Sequence, residues 1–150
     1  SRYAPEILVK PSLFESSPEE EGDYSMQSEI AEKVSSGENN SLRMEIYLIN
    51  EVFSEYGFSF MDLADYSPKA EKTKRACAKA VAFMIKNPIL TSEMKIKRKL
   101  PLNLIEKNAK VSRKLLERHR KYIVAAVEII SGDYPYLSDY MRYIREELEK

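Results

Sequence analysis

The feature that most constrains the fold is a pair of short helical patterns joined by a turn. Leu102 and Ile105 are spaced to anchor one short helix, and Ser112 is placed to cap a second through its hydroxyl oxygen. Asn108 begins the turn between them, and asparagine tolerates the left-handed conformation that such turns often need. This outline is typical of a DNA-binding helix-turn-helix, which we predict at about residues 100–131 with Asn108 as the left-handed residue.

The charge of the chain is divided along its length, although the formal net charge is zero. Residues 1–66 hold 14 acidic and 4 basic side chains, residues 67–121 hold 17 basic and 4 acidic, and residues 122–150 hold 3 basic and 6 acidic. A net charge of zero therefore does not argue against nucleic-acid binding, and a basic block that contains the helix-turn-helix pattern favours such binding. The same block would also fit solvated helix faces, or a basic face that binds an acidic protein.

The second helix of the motif is predicted to carry its charges on one side. At about 100° per residue, Leu116 and Ile123 point inward and the charged residues point outward. Arginine pairs bidentately with guanine, glutamate accepts from the cytosine amino group, and lysine suits phosphates. Three further basic residues precede the motif and could bind the flanking DNA backbone. The predicted DNA-binding set is Lys97, Arg98, Lys99, Arg113, Lys114, Glu117, Arg118 and Lys121.

Helical spacing extends over most of the chain, and no strand-like alternation occurs. Apolar residues four and three apart predict a helix from about residue 42 towards Gly57, and one continuous last helix from Pro135. Between these two helices a long helix is predicted, with Ser67 as its cap and Pro68 as its first residue. The predicted fold class is therefore all-α, a small helical domain that contains the helix-turn-helix.

The first residues of the chain have a different composition. Residues 1–24 contain three prolines and a run of three glutamates, without apolar periodicity. Such a segment cannot bury enough apolar surface to fold alone, so we predict an acidic, mostly disordered interdomain linker there. The all-α domain is then predicted at residues 25–150, with a first short helix at about 25–34. Because the chain begins without methionine, we expect it to be a fragment of a longer protein.

Several classes of function lack the residues that they need. Cys77 is the only cysteine, so no internal disulfide can form, and one thiol fits a reducing cytoplasm. His119 is the only histidine, and one histidine with one cysteine cannot make a zinc site. The isolated glycines form no phosphate-binding loop. We therefore predict no enzyme, metal or cofactor, and the lack of a long apolar run predicts no membrane insertion.

Tyrosines crowd the C-terminus and suggest a second surface. Tyrosine and methionine are enriched at protein interfaces, so an apolar patch at this end of the chain could bind a partner protein. Core packing explains the same residues equally well. The predicted partner-binding set is Tyr136, Leu137, Tyr140 and Met141.

The motif block is specific enough to resemble a known family. Lys-Arg-Lys-Leu-Pro-Leu at 97–102, Val-Ser-Arg-Lys-Leu-Leu-Glu-Arg-His-Arg-Lys-Tyr-Ile at 111–123 and Ser-Gly-Asp-Tyr-Pro-Tyr-Leu at 131–137 resemble the C-terminal domain of the sigma-I alternative sigma factors of Firmicutes. Glu-Tyr-Gly-Phe-Ser-Phe at 55–60 resembles the upstream helices of that family. The resemblance covers about residues 42–145.

This resemblance implies a transcription initiation subunit that works with the RNA polymerase core. In that family the C-terminal domain reads the −35 promoter element and binds the N-terminal cytoplasmic domain of a membrane-anchored anti-sigma factor. An N-terminal domain, mostly absent here, reads the −10 element. The DNA contacts implied by the resemblance are Arg113, Lys114, Glu117, Arg118 and Lys121. The family pattern has glycine where this chain has Lys110, and threonine where it has Leu115.

Overall fold

The computed structural model describes Ile30 and residues 40–150. Over these residues every regular element is a helix, which confirms the predicted all-α class. Apart from Ile30, which is helical and buried, the predicted linker and the predicted helix at 25–34 lie outside the described residues. The domain boundary therefore stays a prediction. The helices are α1 (Asn40–Ser54), α2 (Leu63–Tyr66, after a 3₁₀ turn at Phe60–Asp62), α3 (Glu71–Ile85), α4 (Pro88–Lys97), α5 (Leu102–Ala109), α6 (Arg113–Arg118), α7 (Arg120–Ser131), α8 (Pro135–Ser138) and α9 (Arg142–Leu148).

Helix α3 lies at the centre of the packing, in contact with α4, α5, α7 and α9. Its apolar positions recur at helical spacing, and Cys77, Val81 and Met84 are fully buried. Helix α7 brings its own apolar face against α3, and both Ile123 and Val127 have no exposed surface. The helix-turn-helix region is therefore built onto a continuous core that includes α3 and α7.

Two predicted helix boundaries are wrong. Helix α3 begins at Glu71 rather than at Pro68, because the Ser67 hydroxyl donates to the Leu63 carbonyl oxygen (2.6 Å) and closes α2 instead of opening α3. The predicted continuous last helix is divided into α8 and α9, since the backbone of Met141 leaves the helical region (φ −102°, ψ 55°). The predicted end of α7 near Gly132 is confirmed.

Two buried carboxylates hold elements together that are distant in sequence. Glu45 of α1 accepts hydrogen bonds from the backbone N–H groups of Tyr136 (3.1 Å) and Leu137 (2.8 Å), so it caps α8 from another helix. Glu128 of α7 accepts from the Tyr56 hydroxyl (2.5 Å) and lies 3.6 Å from the Lys95 ammonium group of α4. These contacts fix α1 and α4 against the C-terminal helices.

Within the described residues, none of the helices combines the length and the apolar character that a membrane span requires.

Candidate nucleic-acid interface

Helices α5 and α6 and the tight turn between them form the predicted motif. Ile105 of α5, Val111 of the turn and Leu116 of α6 are all buried and hold the two helices on the core. The left-handed residue of the turn is Lys110 (φ 59°, ψ 44°), so the prediction of Asn108 is wrong. Asn108 remains inside α5, where its side-chain amide donates to the Leu104 carbonyl oxygen (2.8 Å).

Ser112 is the N-cap of α6, the position predicted for it. Its backbone is extended, and its hydroxyl oxygen accepts from the N–H of Leu115 at 3.2 Å. This bond satisfies one of the backbone donors that a helix start leaves without an intrahelical partner. The cap fixes where α6 begins and therefore which side chains occupy its first turn.

The second helix of the motif is shorter than predicted. Its backbone departs from helical geometry at His119 (φ −108°, ψ 23°), which separates α6 from α7. The break coincides with a tertiary contact, because His119 Nδ1 lies 2.9 Å from the carbonyl oxygen of Tyr66 in α2. His119 is half-buried, and the inward residues on either side of the break still reach one core.

Four of the predicted DNA-binding residues lie on α6 and are exposed: Arg113, Lys114, Glu117 and Arg118. The Arg113 guanidinium is held from two sides. Its Nη1 donates to the side-chain oxygen of Asn103 in α5, and its Nε lies 3.4 Å from the Glu117 carboxylate. Asn103 had no role in the sequence interpretation, although its place at the start of the first motif helix brings it beside Arg113.

The remaining predicted cations differ in their surroundings. Lys97 and Lys99 are exposed. Arg98 sits at the left-handed C-cap of α4, forms an ion pair with Glu55 and lies 5.3 Å from the centre of the Tyr56 ring. Lys121 belongs to α7 and is half-buried, with its ammonium group 4.1 Å from the centre of the Tyr66 ring. Within the predicted set, Arg98 and Lys121 thus lie against tyrosine rings of the protein, and Arg113 is held by Asn103 and Glu117 although it is exposed.

An open cleft of about 620 Å³ runs beside α6. The sequence interpretation missed its far wall, whose residues come from α2, the loop that follows it and the start of α3, forty or more positions before α6. Its lining mixes basic side chains and one carboxylate with small polar groups, a tyrosine, a histidine and the apolar residues Ala70 and Leu115. The lining residues are Asp65, Tyr66, Ser67, Lys69, Ala70, Thr73, Ser112, Lys114, Leu115, Arg118 and His119.

The predicted partner-binding patch is only partly at the surface. Leu137 and Met141 are 0% and 2% exposed, so these two side chains belong to the core and the prediction is wrong for them. They turn inward because α8 and α9 pack on α1, α3 and α7. Tyr140 is half-buried, and Tyr136 is 43% exposed.

Other exposed apolar side chains lie on α1, next to α8. Met44, Tyr47 and Leu48 are between 48% and 66% exposed and belong to the same helix as Glu45, whose buried carboxylate caps α8. The spacing of these residues places them on one side of α1.

The titratable groups of the interior suit structural roles. Burial raises the pKa of the Cys77 thiol from 9.0 to about 12, which keeps it protonated and unreactive. Burial, followed by the bond to Glu128, raises the pKa of the Tyr56 hydroxyl above its ordinary value. Among the described residues, no three His, Cys, Asp or Glu side chains are grouped so that they could hold a metal ion.

Comparison with known proteins gives a consistent set of relatives. No protein-family model matches the chain. It is 37% identical over 130 residues to the RNA polymerase sigma factor SigI of Bacillus anthracis, covering 87% of this chain and 54% of that protein. It is 37% identical to SigI7 of Acetivibrio thermocellus (67% and 43%) and 36% identical to SigI of Bacillus subtilis (70% and 42%). The chain thus spans about half the length of these relatives.

Proposed function

Because the chain belongs to the SigI family of RNA polymerase sigma factors, we propose that it is the part of a transcription initiation factor that reads the −35 promoter element. The relatives are sigma factors by name and not enzymes, which confirms the prediction that the chain is not an enzyme. Transcription initiation in the cytoplasm, together with the RNA polymerase core, is then its proposed activity.

The observation that carries this proposal is the exposed charged face of α6. A capped helix that follows a tight turn can place its first residues against base edges in the major groove. Arg113, Lys114 and Arg118 are exposed there, while Leu116 is buried beneath them. The segment 97–121 holds ten Lys and Arg residues against two Glu, so its local potential favours the DNA phosphates.

Individual roles follow from side-chain chemistry and surroundings. We assign Arg113 and Arg118 to guanine and Glu117 to a cytosine amino group. Lys97, Lys99 and Lys114 are exposed and suit phosphates as compact charges. Arg98 and Lys121 remain in the proposed interface, but each would have to keep or exchange its present contact with Glu55 or Tyr66.

The proposed regulatory partner is the N-terminal cytoplasmic domain of a membrane-anchored anti-sigma factor. Tyr136 remains a candidate contact because its side chain is exposed. Tyr140 is half-buried and could add the exposed part of its side chain to the same surface. Leu137 and Met141 would support this surface from below rather than touch the partner.

The experiment that tests the proposal is binding of the chain to promoter duplexes with and without a cognate −35 element, at two salt concentrations. Neutralising six phosphates would give a log–log slope of about −5 against salt, and only the −35 duplex should bind tightly. The alternative function is a helical interaction module whose basic face binds an acidic protein. It predicts no preference between the two duplexes, and that result would overturn −35 recognition.

A further inference from the structure

The Arg113 side chain is held in place before any DNA arrives. Its Nη1 donates to Asn103 Oδ1 across the two helices of the motif, and its Nε faces the Glu117 carboxylate one turn further along α6. A guanidinium group has only donors, so the acceptor oxygen of the Asn103 amide must face it. Residues of two neighbouring helices thus restrain the guanidinium group of one exposed arginine.

We infer that Asn103 is a positioning residue for base reading by Arg113. This inference rests on the proposed −35 recognition. An exposed arginine has several rotatable bonds, and ordering it on binding costs conformational entropy that a preset orientation avoids. A bidentate contact also depends on the angle of the guanidinium plane, which Asn103 and Glu117 restrain from different directions.

Asn103 therefore tunes which base Arg113 prefers, without being required to touch that base. A phosphate contact by Asn103 would act differently, since it would strengthen binding to every duplex alike. The two roles can be distinguished by the ratio of the affinities for cognate and substituted duplexes. An electrostatic change that acts on every duplex alike cancels in this ratio.

The test uses the full 150-residue chain and a series of −35 duplexes in which each base pair is substituted in turn. Arg113→Ala should lower discrimination at one base pair about tenfold or more, the range expected for loss of a bidentate contact. Asn103→Ala should lower discrimination at that same base pair by about threefold, and should have no further effect once Arg113 is alanine. Asn103→Asp retains an acceptor oxygen, so it should keep the discrimination while weakening binding to all duplexes through its charge.

Asn108→Ala is the matched control, because it removes an exposed asparagine from the same helix whose side chain bonds only its own helix. It should leave base preference unchanged, and thermal unfolding of each variant checks the fold. If Asn103→Ala lowers affinity equally for every duplex, or acts independently of Arg113, the positioning role is wrong and −35 recognition stands. If Arg113→Ala leaves base preference intact, base reading by Arg113 fails together with the positioning role.

Discussion

Charged side chains have opposite surroundings in two regions of this domain. At the junction of α1 with α8, the Glu45 carboxylate is buried and accepts two backbone hydrogen bonds from residues more than ninety positions away. On α6, Lys114 and Arg118 are exposed beside an open cleft. In the sequence both kinds of residue look alike, as charges within amphipathic helices.

The difference shows how to separate structural charges from charges available to a ligand. A buried carboxylate is retained only if hydrogen bonds replace its lost hydration, so Glu45 and Glu128 act within the fold. An exposed cation contributes little to stability, so several on one short helix are better explained by a binding role. Arg98 and Lys121 lie between these cases, each held against a tyrosine ring.

Among the charged residues, the largest expected effect comes from replacing Glu45, the buried carboxylate of this comparison. Glu45→Ala would leave the N–H groups of Tyr136 and Leu137 without their acceptor, at a cost of about 3 kcal/mol of folding free energy. Chemical unfolding measures this loss. Glu45→Gln keeps one acceptor oxygen and should lose less. Equal stability of the Ala variant and the parent would show that the contact is not important for folding.

Local chemistry made much of the fold predictable. The apolar spacing of α1, α3 and α7 identifies core residues such as Phe53, Val81 and Ile123 because a helix places them on one face. Ser112 is found at its cap for a similar reason, since an N-cap bond spans only three residues.

The parts that the sequence did not predict depend on contacts between distant residues. The role of Glu45 requires knowing that α8 lies beside α1, and the start of α3 depends on Ser67 bonding back to α2. The turn was misassigned because asparagine preference pointed to Asn108, whereas the packing of Val111 and Ile105 sets the left-handed residue at Lys110. Tertiary packing overrode local preference there.

The exposed member of the comparison is tested by Arg118→Ala. We expect a loss of about 2 kcal/mol, within a range of about 1–3, in binding to the −35 duplex and a relaxed preference at one or two bases. Unfolding should be unchanged because the side chain is exposed. Equal losses on −35 and random duplexes would instead identify Arg118 as a phosphate contact.

Adjacent residues of α8 allow the same comparison at the proposed partner surface. Tyr136→Ala should weaken binding of the anti-sigma cytoplasmic domain by about 2 kcal/mol with little change in unfolding. Leu137→Ala, one position away and buried, should instead lower stability by about 2–4 kcal/mol. A Tyr136 variant with full affinity for the anti-sigma domain would remove this residue from the interface.

Alkaline pH should destabilise the core through Cys77. The folded protein keeps the thiol proton up to a pKa of about 12, whereas the unfolded chain loses it near 9.0. The folded state then binds more protons than the unfolded state, so stability falls as the pH rises, by about 1 kcal/mol between pH 9 and 10 and by up to about 1.4 kcal/mol per pH unit above that. Urea unfolding from pH 9 to 10 measures this slope, to which Tyr56 and Tyr134 add a smaller part because burial also raises the pKa of their hydroxyls. Cys77→Ala should flatten it, and an unchanged slope would assign the effect to another group.

The smallest expected effect concerns the two non-glycine residues with positive φ, Lys110 and Arg98. Lys110→Gly should stabilise the domain by about 0.5–1 kcal/mol, because glycine adopts the left-handed conformation without the side-chain clash and this gain exceeds the entropy that glycine adds to the unfolded chain. Arg98→Gly relieves the same backbone strain, but it also removes the contacts with Glu55 and Tyr56. Its net effect should therefore be near zero or destabilising. Thermal unfolding of both variants measures the difference, and equal stabilisation would mean that the Arg98 contacts contribute nothing to the folded state.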